Sequence, residues 1–213
     1  MKKIAVFGAG GFGREVEWLI EEINAAGGDW NFIGFFDDDF SHVKNIDSQF
    51  FLGGTSTLNN YSEELYIVFA IGNPVIKKKI IEQISNPKLK FPVLMHPNVA
   101  FGKRNVTIGE GSIICAGCLI TIDINIGKHV ILNLSCTVGH DSVIGDYCSF
   151  MPTVNISGEV VLGACVYVGT GAKIINQLEI GEGTIVGAGA VVAKTLPSNC
   201  TAVGIPAKPI KFH

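Results

Sequence analysis

Charge is scarce in this chain of 213 residues: 16% of them are Asp, Glu, Lys or Arg, and they nearly cancel to a net −3. That balance argues against a nucleic-acid or anionic-membrane partner, either of which calls for a basic excess. No stretch reaches the ~20 apolar residues of a membrane span. The start, Met1-Lys2-Lys3-Ile4-Ala5-Val6-Phe7-Gly8, has its apolar run cut by glycine within a few positions, so it does not read as a signal peptide. Six cysteines without a secretory signal imply reduced thiols and a cytoplasmic protein. Cys115-x-x-Cys118 has no second pair to complete a zinc site, and no metal is expected. What the chain does have is apolar content, 47%, and 26 glycines. The first marks a globular protein, and the spacing of the second is informative.

Stepping by six from Ile108 reaches Ile114, Ile120, Ile126, Leu132 and so on to Val192, and every position is apolar. Four residues after each comes a mostly small or branched residue, such as Cys118, Val130, Cys136 or Cys148. Gly109, Gly127, Gly145, Gly163 and Gly181 recur every eighteen. Three hexads per eighteen residues predict a triangular coil, each hexad being one short strand and a corner. The apolar position points inward and stacks on its counterpart one coil away, at the ordinary ~4.8 Å strand spacing. Glycine is expected at corners where a Cβ would crowd. Cys118, Cys136 and Cys148 fall at inward positions and read as core packing.

Residues 1–90 differ in texture. Lys2–Phe7 reads as a strand, Arg14–Asn24 as a helix, Phe32–Phe36 and Tyr66–Ile71 as strands, and Val75–Ile84 as a helix opened by Pro74. This suggests a small parallel α/β unit. Gly8-Ala9-Gly10-Gly11-Phe12-Gly13 fits G-x-G-x-x-G between strand and helix. The unit is about half of a full dinucleotide fold. A nucleotide-sugar phosphate site at the helix N-terminus, a purely structural turn and an NAD site all remain open. Asp37 and Asp38 can accept from a ribose or base, or form a solvated acidic turn. The expected organisation is an α/β unit at 1–90, a linker at 91–107, the β-helix at 108–197 and a C-terminal tail at 198–213.

Of five histidines, His42 and His213 fall in a loop and at the terminus, His96 beside Pro97 reads as structural, and His129 as a surface residue. His140 follows Gly139 and precedes Asp141 at a corner in mid-helix. A His–Asp step can orient the tautomer and raise the basicity of the imidazole, which marks a candidate general base. Eighteen residues on, Gly158 would lie one coil away, where its N–H could face the oxygen of an acyl group.

Gly-Ala-Gly-Gly-Phe-Gly-Arg-Glu-Val near the start, Phe36-Asp37-Asp38-Asp39, Ala70-Ile71-Gly72-Asn73, Ile131-Leu132-Asn133, Gly139-His140-Asp141-Ser142-Val143-Ile144-Gly145-Asp146 and Val203-Gly204-Ile205-Pro206-Ala207-Lys208 together carry a resemblance over nearly the whole chain. The chain resembles the sialic acid O-acetyltransferase and nucleotide-sugar N-acetyltransferase family of hexapeptide-repeat enzymes. The resemblance implies a left-handed β-helix, an acetyl-CoA donor, direct transfer and a homotrimer with sites between adjacent helices. It implies that His140 is the base and Asp141 its orienting partner. Gly158, Thr170 and Ala188 match backbone contacts to the cofactor, and Asn133 an asparagine near the acceptor. The nucleotide of the sugar substrate would be held by Gly10, Gly11, Phe12 and Gly13, by Asp37 and Asp38, and around Gly72 and Asn73. The chain departs from the bacillosamine-pathway enzymes at two places, having Phe12 and Ser149 where they have histidines.

Three other readings compete. Serine O-acetyltransferases resemble the chain in the β-helix but carry a helical N-terminal domain. A β-helix carbonic anhydrase needs three histidines on one metal, and only His129 and His140 lie in the helix. A non-enzymatic structural β-helix protein would bind no acetyl-CoA. N- and O-acetylation need the same base and donor, and the sequence does not separate them.

Overall fold

The computed structural model describes residues 1–44 and 46–213. Strand β1 (Lys2–Phe7) leads to α1 (Gly11–Ala25), β2 (Trp30–Phe36), α2 (Phe40–Val43), β3 (Phe51–Gly53), α3 (Thr55–Asn59), β4 (Leu65–Phe69), α4 (Pro74–Ile81) and β5 (Leu89–Lys90). The five strands form one parallel sheet in the order β3-β2-β1-β4-β5. The order reverses beside β1, so the β1–α1 turn sits at the crevice where ligands bind in such sheets. α1 buries Val16, Leu19 and Ile20 against the sheet. α4 is opened by Pro74 and capped by Asn73, whose Oδ1 accepts from the amides of Val75 (3.0 Å) and Ile76 (3.1 Å). The sequence reading missed β3, α3 and β5.

From Leu94 the chain winds as a triangular prism with three faces. One face runs through Leu94–Met95, Ile113–Ile114, Ile131–Leu132, Ser149–Phe150, Tyr167–Val168 and Ile185–Val186. The second holds Ala100–Phe101, Leu119–Ile120, Thr137–Val138, Asn155–Ile156, Lys173–Ile174 and Val191–Val192. The third holds Val106–Ile108, Ile124–Ile126, Val143–Ile144, Val161–Leu162 and Glu179–Ile180. This is the left-handed parallel β-helix. Strands pair in parallel at intervals of eighteen, so Ile114, Leu132, Phe150, Val168 and Val186 stack in one inward column. Each is buried, and Cys118, Cys136 and Cys148 join them in the core.

The coil departs from expectation at both ends. Residues 94–107, read as linker, already pair in register with the next coil, because Leu94, Met95, Phe101 and Val106 supply apolar positions that the linker's prolines obscured. The expected tail adds Cys200–Val203 and the antiparallel Lys208–Phe212 to the first face.

The corners refine the glycine argument. Gly145 sits where a Cβ would come within 2.7 Å of backbone in the next coil, so crowding excludes a side chain there. The left-handed backbone falls two residues later, at Asn105, Asp123, His129, Ser135, Asp141, Tyr147, Glu159 and their equivalents. Side chains persist there because, from Asp123 onward, such an amide donates to a carbonyl of the preceding coil, as Asp141 does to Ile122 (3.2 Å) and Glu159 to His140 (2.8 Å). That bond offsets the cost, about 1–2 kcal/mol, of placing an L-residue in this region.

The α/β unit docks on the first face. Leu94, Ile113, Cys115 and Ile131 pack with Val16, Leu19 and Ile20 in one cluster. Lys77 of α4 is buried there and donates to Ser149 Oγ (3.0 Å) and Cys148 O (3.4 Å). The second and third faces remain open. Phe101 and Leu119 are exposed on one, Val143 and Val161 on the other.

Candidate functional site

His140 and Asp141 form the corner between the second and third faces. The corner turns through Asp141, whose φ is +60°. This conformation, tolerated by aspartate, brings Oδ2 to 2.8 Å from His140 Nδ1. An ionised carboxylate can only accept, so Nδ1 carries the proton and Nε2 keeps its lone pair. Both side chains are more than half exposed. The structure thus brings the two expected residues together in the geometry of an oriented base.

Gly158 lies directly beneath. A Cβ there would come within 2.6 Å of both Cε1 and Nε2 of His140. The eighteen-residue register therefore does more than leave room for an acyl group, because glycine is what lets the imidazole lie over the next coil. The amide of Gly158 has no acceptor among the described residues. The same holds for Thr170 and Ala188, which occupy the equivalent corner position between the first and second faces. Repeat geometry supplies this column of unpaired amides, and it suits a linear ligand with carbonyl groups. Asn133 lies on that second edge too, buried, with Oδ1 accepting from Leu134 N at 2.7 Å. Within one chain, Asn133, Thr170 and Ala188 are separated from His140 by the width of the second face.

In the α/β unit a cavity of about 520 Å³ is lined by Gly10, Gly11 and Phe12, by Asp37 and Asp38, and by Gly72. Asp37 is buried and holds the loop together, Oδ2 accepting from Ala9 N (2.8 Å) and Oδ1 from Asp39 N (2.9 Å). Asp38 accepts from Thr55 N (2.7 Å) and Thr55 Oγ1 (2.5 Å). Gly13 does not line the cavity. A Cβ there would stand 1.8 Å from Gly8 O, so this glycine lets α1 approach β1. Asn73 lines a neighbouring cavity of about 570 Å³ that shares Gly72 and reaches Met151, Tyr167 and Ile185.

Two histidines depart from expectation. His129 is no surface residue: only 5% exposed, it stacks on Tyr147 with ring centroids 5.7 Å apart and meets the edges of Phe69 and Phe91. Burial pulls its pKa down to about 4, and its Nδ1 has no partner. His42, read as a loop residue, lies in α2 with Nδ1 2.9 Å from Asp37 Oδ2 and lines the glycine-loop cavity. The reading also missed Lys77, whose burial pulls its pKa down to about 7.

A left-handed β-helix carrying a corner histidine oriented by its neighbouring carboxylate defines a hexapeptide-repeat acyltransferase. Residues 3–84 match the family model described as the PglD N-terminal domain. The acetyltransferase domain of PglB from Neisseria gonorrhoeae, solved with acetyl coenzyme A, is 33% identical, with a TM-score of 0.86 over 98% of this chain and 99% of that one. WeeI from Acinetobacter baumannii is 32% identical with a TM-score of 0.86, over 99% of this chain and 100% of its own. PerB from Caulobacter crescentus, solved with CoA and GDP-perosamine, is 27% identical with a TM-score of 0.83, over 99% and 98%. The chain belongs to the family of hexapeptide-repeat nucleotide-sugar acetyltransferases. Its match to the curated relatives is shorter: a putative acetyltransferase of Schizosaccharomyces pombe is 52% identical over 46 residues, spanning 22% of either chain.

Proposed function

We propose that the chain transfers the acetyl group of acetyl-CoA to an amine or hydroxyl of a nucleotide-linked sugar, for surface glycan synthesis. The observation that carries this is the His140–Asp141 pair, 2.8 Å apart, set over Gly158. Acetyl-CoA supplies an activated acyl group. His140 Nε2 takes the proton of the attacking amine or hydroxyl as that atom bonds the acyl carbon, Asp141 stabilises the imidazolium that forms, and the proton passes to the CoA thiolate as the C–S bond breaks. The free Gly158 amide donates to the acyl oxygen as it gains charge. No acetyl-enzyme is needed, since the base activates the acceptor directly. The unpaired amides of Thr170 and Ala188 fit the carbonyls of the pantetheine arm, and Asn133 stands on the same edge.

The base and these donor contacts occupy different edges of the prism. That separation supports a site built between two copies, as in the homotrimer that the resemblance implies. Exposed Phe101, Leu119, Val143 and Val161 on the two faces meeting at the His140 edge support it further. The glycine-loop cavity is assigned to the nucleotide, with Gly10, Gly11 and Phe12 at the phosphates, and the neighbouring cavity beyond Gly72 and Asn73 to the sugar. The six cysteines are all free, which fits a cytoplasmic enzyme.

The test follows CoA release from acetyl-CoA with a panel of nucleotide-linked amino- and hydroxy-sugars. His140→Ala is expected to lower turnover at least ~100-fold, and near-normal turnover would sink the assignment. Sedimentation of the wild type tests the trimer.

A further inference from the structure

The glycine-loop cavity poses an electrostatic problem. Its lining includes three carboxylates, Asp37, Asp38 and Asp39, and no lysine or arginine among the described residues. A nucleotide-linked sugar brings a diphosphate with two more negative charges. The α1 N-terminus offers amides, the first with a backbone partner being that of Arg14, but supplies only about half a positive charge. The one side chain in the lining able to become a cation is His42.

Its geometry is already set. Asp37 Oδ2 is shared between Ala9 N of the glycine loop (2.8 Å) and His42 Nδ1 (2.9 Å). One buried carboxylate thus fixes both the loop that would cradle phosphate and the ring beside it. The other ring nitrogen, Nε2, is 3.7 Å from Asp39 Oδ2, too long for a hydrogen bond. The side chain is half exposed and lines the cavity. Asp37 accepts from Ala9, Asp39 and His42, and Asp38 from Thr55.

We propose that His42 is the diphosphate-binding cation of this pocket: Nδ1–H stays on Asp37, and Nε2 takes a proton from solvent when the ligand binds and donates it in a hydrogen bond to a phosphate oxygen. The incoming phosphate places negative charge against Nε2 and draws the proton to it. This rests on the nucleotide-sugar reading above. It assigns phosphate recognition to a residue outside the glycine loop, and it makes binding a proton-uptake event.

Calorimetric titration separates the two readings. The probes are UDP-glucose, GDP-mannose and dTDP-glucose, whose esterified diphosphates do not titrate near neutrality, together with uridine, guanosine and thymidine. Binding enthalpies are measured at pH 7.5 in phosphate and in Tris, which differ widely in ionisation enthalpy. For the nucleotide sugar that binds, wild type is expected to show uptake of up to one proton. His42→Gln is expected to abolish the uptake and weaken binding about 10- to 100-fold, the loss of one charge-assisted bond. The matching nucleoside should bind both proteins equally, which a merely structural role for His42 would not produce. Binding without proton uptake, or a variant that binds the nucleotide sugar as tightly as wild type, overturns the proposal and leaves the nucleotide-sugar reading standing. No binding of any nucleotide sugar by wild type overturns both.

Discussion

The imidazole of His140 rests on the bare Cα of Gly158, with room between them for no carbon atom: a methyl at 158 would stand 2.6 Å from Nε2. The two residues are eighteen apart, one full coil, so the contact is a direct product of the repeat. Gly158→Ala should therefore behave as a displacement of the base. Turnover is expected to fall on the order of 100-fold, with the melting temperature changed by only a few degrees, since the ring can swing into solvent. A variant with wild-type turnover would show that the ring has no fixed place over the coil.

Asp141→Asn isolates the role of the carboxylate. Asparagine tolerates the left-handed backbone at +60° at least as well as aspartate does. Its amide, however, donates to Nδ1 and pushes the ring proton onto Nε2, the atom proposed as the base. The expected loss is ~100-fold or more in turnover, with unchanged thermal stability. Loss of less than about threefold would mean that the tautomer is set by something other than Asp141.

Much of this was legible because the β-helix is a one-dimensional object. An inward apolar residue every sixth position fixes the coil, and the coil fixes which residues are neighbours, so His140 and Gly158 could be paired from spacing alone. The same logic failed where the other unit covers a face. His129 occupies a corner position that is exposed at Ser135, Asp141 and Glu159, and it is buried because Phe69 and Phe91 come to it from the α/β unit. Lys77 reads as one of three consecutive lysines in an exposed helix, and nothing local marks it as the one that meets Ser149. His42 is five residues from Asp37, and their contact depends on the short α2 helix folding back. The run Phe50-Phe51-Leu52 before Gly53-Gly54 is a readable signal for β3.

Gly13 offers a test of the glycine loop itself. A Cβ there would meet Gly8 O at 1.8 Å, a backbone clash that no rotamer relieves. Gly13→Ala should push α1 away from β1, lower stability by about 1–3 kcal/mol and weaken nucleotide-sugar binding. Gly10 and Gly11 have open space around the missing Cβ, so Gly11→Ala should cost far less stability. Equal melting temperatures for the two variants would contradict the packing role of Gly13.

His129 should shape the acid side of the stability curve. Its pKa falls from about 6.5 unfolded to about 4 folded, chiefly through burial. Between these values the unfolded chain binds the proton and the folded one does not, so stability declines as pH drops from 6.5 towards 4. The full loss is about 3 kcal/mol. His129→Phe keeps an aromatic ring against Tyr147 and removes the titration, so its melting temperature should fall less steeply over this range. Parallel curves for variant and wild type would assign the acid limb to other groups.

Lys77 should act on the alkaline side with the same sign and a larger amplitude. Burial against the first face lowers its pKa from 10.5 to about 7, and its two acceptors, Ser149 Oγ and Cys148 O, are fewer than an ammonium requires. Below pH 7 both folded and unfolded chains carry the proton, and the folded chain bears a buried charge at a cost of about 5 kcal/mol. As pH rises from 7 to 10.5 the folded lysine is neutral while the unfolded one still binds its proton, and stability should climb. Lys77→Met removes the charge and leaves Ser149 Oγ without its donor, a loss of about 1–3 kcal/mol. The variant is therefore expected to melt above wild type at pH 6 and to lose that advantage by pH 10. Melting curves at five pH values decide it: a constant difference across the range would mean that Lys77 is no more easily deprotonated in the folded chain than in the unfolded one. Because α4 begins at the Asn73 cap beside the cavity assigned to the sugar, the same titration should loosen substrate binding below neutral pH, visible as a rise in KM that Lys77→Met does not share.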